Sequence, residues 1–332
     1  MDNKIDFVII WVDGNDPKWQ EDRKKYSPNN GDNRAIRYRD WDNLKYWFRG
    51  VEKCAPWVNK IYFVTWGHLP EWLNTENEKL VVVKHEDFIP KEYLPTFSSH
   101  VIELNLHRIK NLSNQFVYFN DDVYIVNSIK PNDLFQNGLP CDSAILSPAI
   151  MENKFGIGNV ELNNMGLINT YFDKKKVISK NRNKWYSHKY EFKHLLKNFL
   201  LKPWNSFPSF YEFHVCPSFL KSTFDEVWNK EFDVLDEVCH HKFRNLKFDN
   251  NQWLMRDWQL ASGNFVPRTT KFGMLYTIDN KFNAKQALSK CKYKAICLND
   301  SDQLSNEDFK RIKKEIIDEF ETLFPNKSSY EK

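Results

Sequence analysis

The stretch Phe116-Val117-Tyr118-Phe119-Asn120-Asp121-Asp122-Val123-Tyr124-Ile125 constrains this chain more than any other. Its aromatic and β-branched start reads as a buried strand, which Asn120 and two adjacent carboxylates stop abruptly. Two carboxylates at a strand end are costly to bury without a cation or hydrogen-bond donors. A hard divalent ion, Mg²⁺ or Mn²⁺, removes that cost and in turn binds phosphate oxygens. Taken alone, the segment also reads as an acidic turn between two strands, so its sequence neighbours must decide.

Those neighbours alternate strand and helix. Residues 5–12 form a buried apolar run, and 60–65 and 80–84 are shorter β-branched runs. Between the first two, 40–55 carries Leu44, Trp47, Phe48 and Val51 at helical spacing and is ended by Pro56. Residues 97–112 read as a helix with Ser98 or Ser99 at its N-cap. This alternation predicts an α/β, Rossmann-like fold with a mostly parallel sheet flanked by helices. Ligands of such sheets bind outside the carboxyl ends of the strands. Both acidic clusters, Asp13-Gly14-Asn15-Asp16 and Asn120-Asp121-Asp122, directly follow strands and so fall on one rim. Residues 1–150 form the predicted Rossmann-like, ligand-binding part. A helical and aromatic insertion over 151–210 follows, as an acceptor or membrane-proximal region, and 211–332 completes the site. In this last part, 218–230 reads as a helix. A final amphipathic helix starts at Ser305, with Asp308 three residues on, and turns Phe309, Ile312, Ile316, Phe320 and Leu323 inward.

Composition narrows the class. Of 332 residues, 41% are hydrophobic and 28% charged, ordinary for a soluble globular protein. The apolar run 5–12 is strand length and no small-residue cleavage site follows it, so a cytoplasmic protein is expected. Six cysteines without a Cys-x-x-Cys pair read as buried reduced thiols, and His240-His241 lacks a second ligand pair at zinc spacing. A net charge of +4 implies no nucleic-acid partner. From Lys174 to Lys202, however, ten Lys or Arg residues meet a single Glu, interleaved with Trp185, Tyr186, Phe192 and Phe199, with Trp204 just beyond. Such a stretch suits a phosphate-bearing polymer, the inner face of a cell membrane carrying a lipid-linked acceptor, or water alone.

Four separated blocks carry the chemistry. The first is Ile5 to Pro17. The second runs from Arg37-Tyr38-Arg39-Asp40 through Glu52 to Val58, Thr96-Phe97-Ser98-Ser99 and His107-Arg108 to Asn120-Asp121-Asp122-Val123. The third holds Phe213-His214-Val215-Cys216-Pro217 and Phe243-Arg244. The fourth is Ile296-Cys297-Leu298-Asn299-Asp300, with Phe324 to Ser328 closing the chain. In this order the blocks resemble the four conserved regions of the Stealth family. That family includes bacterial capsular polysaccharide phosphotransferases and the eukaryotic lysosomal-enzyme GlcNAc-1-phosphotransferase.

The resemblance implies transfer of a sugar-1-phosphate, an N-acetylhexosamine-1-phosphate, from a UDP-sugar donor to a hydroxyl of a glycan or lipid-linked oligosaccharide acceptor, with release of UMP. It also implies site residues. Asp121 and Asp122, with Asp300, are expected to hold Mg²⁺ or Mn²⁺ on the diphosphate. Arg244 matches the family's arginine after the histidine block, and its planar fork suits phosphate oxygens. His214 is expected as general base, with Asp122 beside the phosphate or acceptor. Asp13, Gly14, Asp16, Arg37, Arg39, His107, Arg108, Asn120, Asn164 and Asn299 complete the expected substrate-binding set. Bland alternatives stand beside several: an Asx-turn for Asn120 and Asn299, a solvated helix face for His107 and Arg108. A metal-dependent glycosyltransferase releasing UDP and a non-catalytic nucleotide-sugar-binding protein are the competing functions.

Overall fold

The computed structural model describes residues 4–27, 39–151, 153–301 and 304–332. Four parallel strands form its centre: β1 (Ile5–Ile10), β2 (Ile61–Thr65), β3 (Leu80–Lys84) and β4 (Gln115–Phe119), in the order β3-β2-β1-β4. The short strand Ser218–Leu220 closes the β4 edge in antiparallel orientation. This is the doubly wound order expected of a Rossmann-like sheet. Register pairs Ile9 with Phe63 on one side and with Phe119 on the other. The three strands therefore end together, and the residues after β1 and β4 emerge on the same rim.

A second sheet begins where the first stops. After Asn120-Asp121-Asp122 the chain resumes as β5 (Val123–Ile125), which no longer pairs with β1 but runs antiparallel to Ala295–Asp300. That strand in turn lies parallel to Gly273–Ile278. The backbone N–H of Leu298 donates to the carbonyl of Asp122 at 2.8 Å, fixing the acidic turn at the junction of the two sheets.

Strand alternation sorts the core into two faces. Phe7, Ile9, Val117 and Phe119 pack with the helix Leu44–Cys54 and with Ile312, Ile316 and Phe320 of the final helix. Val8, Phe116 and Tyr118 face Val101, Leu104 and Trp258. Burial on both faces explains why these strands read as near-continuous apolar runs. At Gly50 an added Cβ would lie 2.6 Å from the carbonyl oxygen of Ile125, so only glycine lets this helix approach β5 so closely.

Several boundaries differ from expectation for local reasons. The helix expected over 40–55 spans Leu44–Cys54, because Asp42 adopts a left-handed φ of 52° that no helix continues through. The helix expected over 97–112 is α-helical only at Ser99–Asn105 and tightens to a 3₁₀ turn at Leu106–Arg108. Residues 218–220 pair with β4, and the helix begins at Lys221. The final helix, Asn306–Leu323, starts as expected: Ser305 Oγ accepts from the N–H of Asp308 at 3.0 Å.

The aromatic and basic region folds as the helices Ile157–Tyr171, Lys174–Lys180, Arg182–Trp185 and Phe192–Leu200. Met165, Ile168, Ile178 and Trp185 share one core with Val8 and Tyr118. One basic residue is structural: buried Lys174 donates through Nζ to the carbonyls of Leu201 and Trp204, each at 2.7 Å. All six cysteines are free thiols, Cys291 half-buried and the others buried.

Candidate active site

A cleft of about 1270 Å³ opens on the rim where β1 and β4 end. Asp13 reaches it from the end of β1, and Asn120, Asp121 and Asp122 from the junction of the sheets. Asn299 and Asp300 arrive on the neighbouring strand, Arg39 from the segment before the Leu44–Cys54 helix. His214 and Arg244 enter from two loops of the C-terminal part. Residues from opposite ends of the chain thus meet in one cavity: Arg39 Nη1 lies 3.3 Å from Asp300 Oδ1, 261 positions away.

The acidic turn is held from several sides. Tyr118 donates its hydroxyl to Asn120 Oδ1 at 2.6 Å, which fixes the amide, and Tyr124 donates to the Asp121 carbonyl at 2.9 Å. Asp122 Oδ2 accepts from the Cys297 thiol at 3.3 Å, and burial pushes that thiol's pKa well up, so it remains a donor. The other oxygen, Oδ1, is buried and has no hydrogen-bond partner among the described residues. Asp121 is exposed to the cleft, and the protein walls around it reduce its hydration. That desolvation, with repulsion from Asp122 added, pushes its pKa up to about 7.

His214 sits in a constrained loop. Its φ is 51°, in the left-handed region, and its N–H donates to Glu212 Oε1 at 3.0 Å. Glu212 Oε2 accepts from Arg256 Nη1 at 3.4 Å, and Arg256 grips buried Asp142 through two hydrogen bonds of 2.7 and 3.1 Å. A buried charge network therefore braces the loop. Side-chain atoms of Asp122, His214 and Cys297 able to ligate a metal lie within 4.8 Å of one another. Arg244 hydrogen-bonds Ser99 Oγ.

Not every expected residue joins this site. His107 is outside the cleft, stacked on Phe224 at 5.6 Å and beside Trp228, and burial drives its pKa down to about 3. Arg108 lies with its guanidinium 4.7 Å over the Trp228 ring, and neither residue lines the cleft. Asp16 caps the helix Pro17–Tyr26 by accepting from the Trp19 N–H at 2.8 Å, and the Gly14 carbonyl accepts from Gln20 at 2.8 Å. Asn164 is buried one layer back: its Nδ2 donates to Asn251 Oδ1 at 3.1 Å, and its Oδ1 accepts from Asn250. It supports the cleft wall through Asn251. Asp300 lines the cleft but is held by Arg39 and by Trp41 Nε1 at 3.2 Å, and, like Asp121, it stands outside the Asp122, His214 and Cys297 cluster. Arg37 lies outside the described residues.

The cleft also contains residues beyond the expected set. Glu103, buried, faces Tyr118 OH at 3.3 Å and accepts from the Gln252 N–H. His100 presents its ring to the cleft wall while Nδ1 meets Asp249 at 2.8 Å; Asp249 also meets His241 Nδ1 at 2.7 Å. Both lie in the helix that follows Thr96-Phe97-Ser98-Ser99, at i and i+3 on one face, a spacing visible in the sequence.

Comparison with known proteins matches the first, second and fourth of the four sequence blocks. Residues 3–31, 37–141 and 286–332 match Stealth protein conserved regions 1, 2 and 4. A capsular polysaccharide phosphotransferase, WcwK, of Streptococcus pneumoniae is 48% identical over 99% of this chain and 98% of the relative. The receptor polysaccharide phosphotransferase WefC of Streptococcus oralis is 40% identical over 99% of both chains. Among solved structures, the galactosyltransferase LgtC, with donor and acceptor sugar analogs, aligns over 93% of this chain and 95% of its own at 9% identity and a TM-score of 0.40. With conserved regions matched from both ends of the chain and near-complete relatives at this identity, the chain belongs to the Stealth family.

Proposed function

We propose that this protein transfers an N-acetylhexosamine-1-phosphate from a UDP-sugar to a hydroxyl of a glycan or lipid-linked acceptor, in capsule or cell-surface polysaccharide synthesis. The observation that carries the reading is the convergence of Asp121, Asp122, His214 and Arg244 in one cleft of a chain whose full-length relatives are named polysaccharide phosphotransferases. In this reaction the acceptor oxygen bonds to the sugar-bearing phosphorus and the bond to the bridging oxygen breaks. UMP leaves, the bond from the anomeric carbon to its oxygen is untouched, and the product is a phosphodiester. His214 takes the hydroxyl proton as general base. Arg244 meets the charge on the transferring phosphoryl group, where positioning and charge stabilisation supply most of the catalysis. The Asn120 amide, oriented by Tyr118, is suited to a sugar hydroxyl or a phosphate oxygen. Donor and acceptor meet at the cytoplasmic face of the membrane in this reading.

The donor atoms present fit Mg²⁺ or Mn²⁺. Asp121 and Asp122 offer hard carboxylate oxygens, and the unpartnered, buried Oδ1 of Asp122 is a group that a cation satisfies. The protonated Cys297 thiol suits neither ion, and His214 is kept free as the base. Bound there, the ion would neutralise the diphosphate oxygens of the donor.

Incubation with UDP-GlcNAc, other UDP-sugars and a glycan acceptor tests the reading. Acceptor-dependent UMP is the expected product. Sustained UDP release marks attack at the anomeric carbon and overturns it; donor binding without any nucleotide product also overturns it, in favour of a binding protein.

A further inference from the structure

The helix Phe192–Leu200 is amphipathic in the wrong direction for a globular protein. Its polar residues His194 and Asn198, four apart, face inward and are buried. Asn198 accepts from the Leu146 N–H at 2.7 Å and donates to the carbonyls of Ala144 and Trp185, each at 2.8 Å. The His194 ring packs on Tyr211 and Phe213 at 5.4 and 5.6 Å. The opposite face carries Phe192, Leu196, Phe199 and Leu200, which are 78%, 43%, 64% and 63% exposed, and Trp204 beyond the helix is 51% exposed. At 100° per residue these four side chains occupy one stripe, with Lys193 and Lys197 along its border. Further lysines surround it. Lys202 is exposed in the following loop, and Lys174 ties that loop to the first turn of the earlier helix Lys174–Lys180, where Lys175 and Lys176 are exposed.

We infer that this helix lies flat on an anionic phospholipid surface, its Phe and Leu side chains in the acyl boundary and its lysines among the headgroups. Phe192 and Phe199, 78% and 64% exposed, protrude from the surface, which suits a fluid surface more than a peptide. Its border is cationic, with Glu191 the sole acid from Lys174 to Lys202, which matches a negatively charged bilayer. A Trp at the edge of the apolar patch is the usual interfacial anchor. No helix among the described residues is long and apolar enough to cross a membrane, so the contact is on the surface. It also sets the cleft near the lipid: Phe213, against which His194 packs, immediately precedes His214.

The test is co-sedimentation of the full chain with vesicles. Vesicles containing about a third phosphatidylglycerol should pellet the protein roughly tenfold better than pure phosphatidylcholine vesicles, and high salt should weaken the binding. The double variant Phe199→Glu/Leu200→Glu, both positions being exposed, should keep the wild-type melting midpoint and lose about tenfold in vesicle affinity. Lys193→Glu/Lys202→Glu should abolish the preference for phosphatidylglycerol, which keeps the test open if the first variant folds poorly. Failure of the wild type to pellet, or unchanged pelleting of both double variants, overturns the inference. A wild-type dimer that Phe199→Glu/Leu200→Glu converts to a monomer, with no vesicle binding, also overturns it and assigns the stripe to a second copy of the chain.

Discussion

The Cys297 thiol donates to Asp122 Oδ2 across 3.3 Å, joining a strand of the second sheet to the acidic turn that ends the first. This contact spends one oxygen of Asp122 and turns the carboxylate, leaving Oδ1 buried and unmatched. Leaving such an oxygen without a partner opposes folding, and in the proposed function a bound cation supplies that partner.

Replacing Asp122 by Asn removes that charge while retaining the shape. Transfer should fall by at least about 10³-fold, with the melting midpoint held or slightly raised because an unmatched buried charge is gone. Steady-state rates across a Mn²⁺ titration, alongside thermal melts, check both halves. Near-normal activity in Asp122→Asn would remove this residue from the site.

Arg244→Lys keeps the charge but loses the planar fork and its bond to Ser99. Activity should drop by roughly 10²–10³-fold, mainly in kcat, as for the loss of one preorganised donor to a transferring group. A change confined to KM for the donor would instead assign Arg244 to uniform binding.

His107 yields a pH prediction for stability. In the folded protein burial holds it neutral down to about pH 3, whereas the unfolded chain protonates it near its ordinary value of 6.5. Its stabilising contribution is therefore complete above pH 6.5 and is lost as pH falls toward 3, by about 1.4 kcal/mol per unit within that window. His107→Phe preserves the stack on Phe224 and Trp228 and removes an Nδ1 that has no partner. Between pH 7 and 5.5 the variant should lose about 1 kcal/mol less stability than wild type in urea denaturation. Parallel pH profiles for the two proteins would contradict the burial argument.

The chain's end is held by a buried ion pair. Arg49 Nη2 and Glu331 Oε2 lie 2.8 Å apart, with side chains 6% and 4% exposed, and Arg49 also donates to the Phe324 carbonyl at 2.9 Å. Glu331→Ala leaves the guanidinium buried with a weaker, half-exposed partner in Glu321. Removal should cost about 3 kcal/mol in equilibrium denaturation without altering KM for the donor.

Much of this architecture is legible in the residues. The alternating apolar runs that become β1, β2 and β4 place Asp13 and Asp122 on one rim, and Ser305 with Asp308 marks the start of the last helix. What escaped reading depends on contacts distant in sequence. Nothing local tells which sheet the strand after the acidic turn joins, because the partner of β5 lies about 170 residues later. His107 and His214 were both expected in the site; tertiary burial sends the first into an aromatic stack, while the second, in a left-handed turn, lines the cleft. Asn164 reads as a ligand because buried amides and binding amides share one composition, and only its bonds to Asn250 and Asn251 separate the two. His100 and Glu103 were within reach, since their i, i+3 spacing continues the Ser98-Ser99 segment on a helix.

The ³¹P spectrum of the purified product tests the central claim most directly. Transfer of a sugar-1-phosphate leaves phosphorus in the glycan as a phosphodiester, with one resonance coupled to the anomeric proton and a matching amount of UMP. A product that carries no phosphorus, accompanied by UDP, would contradict the account.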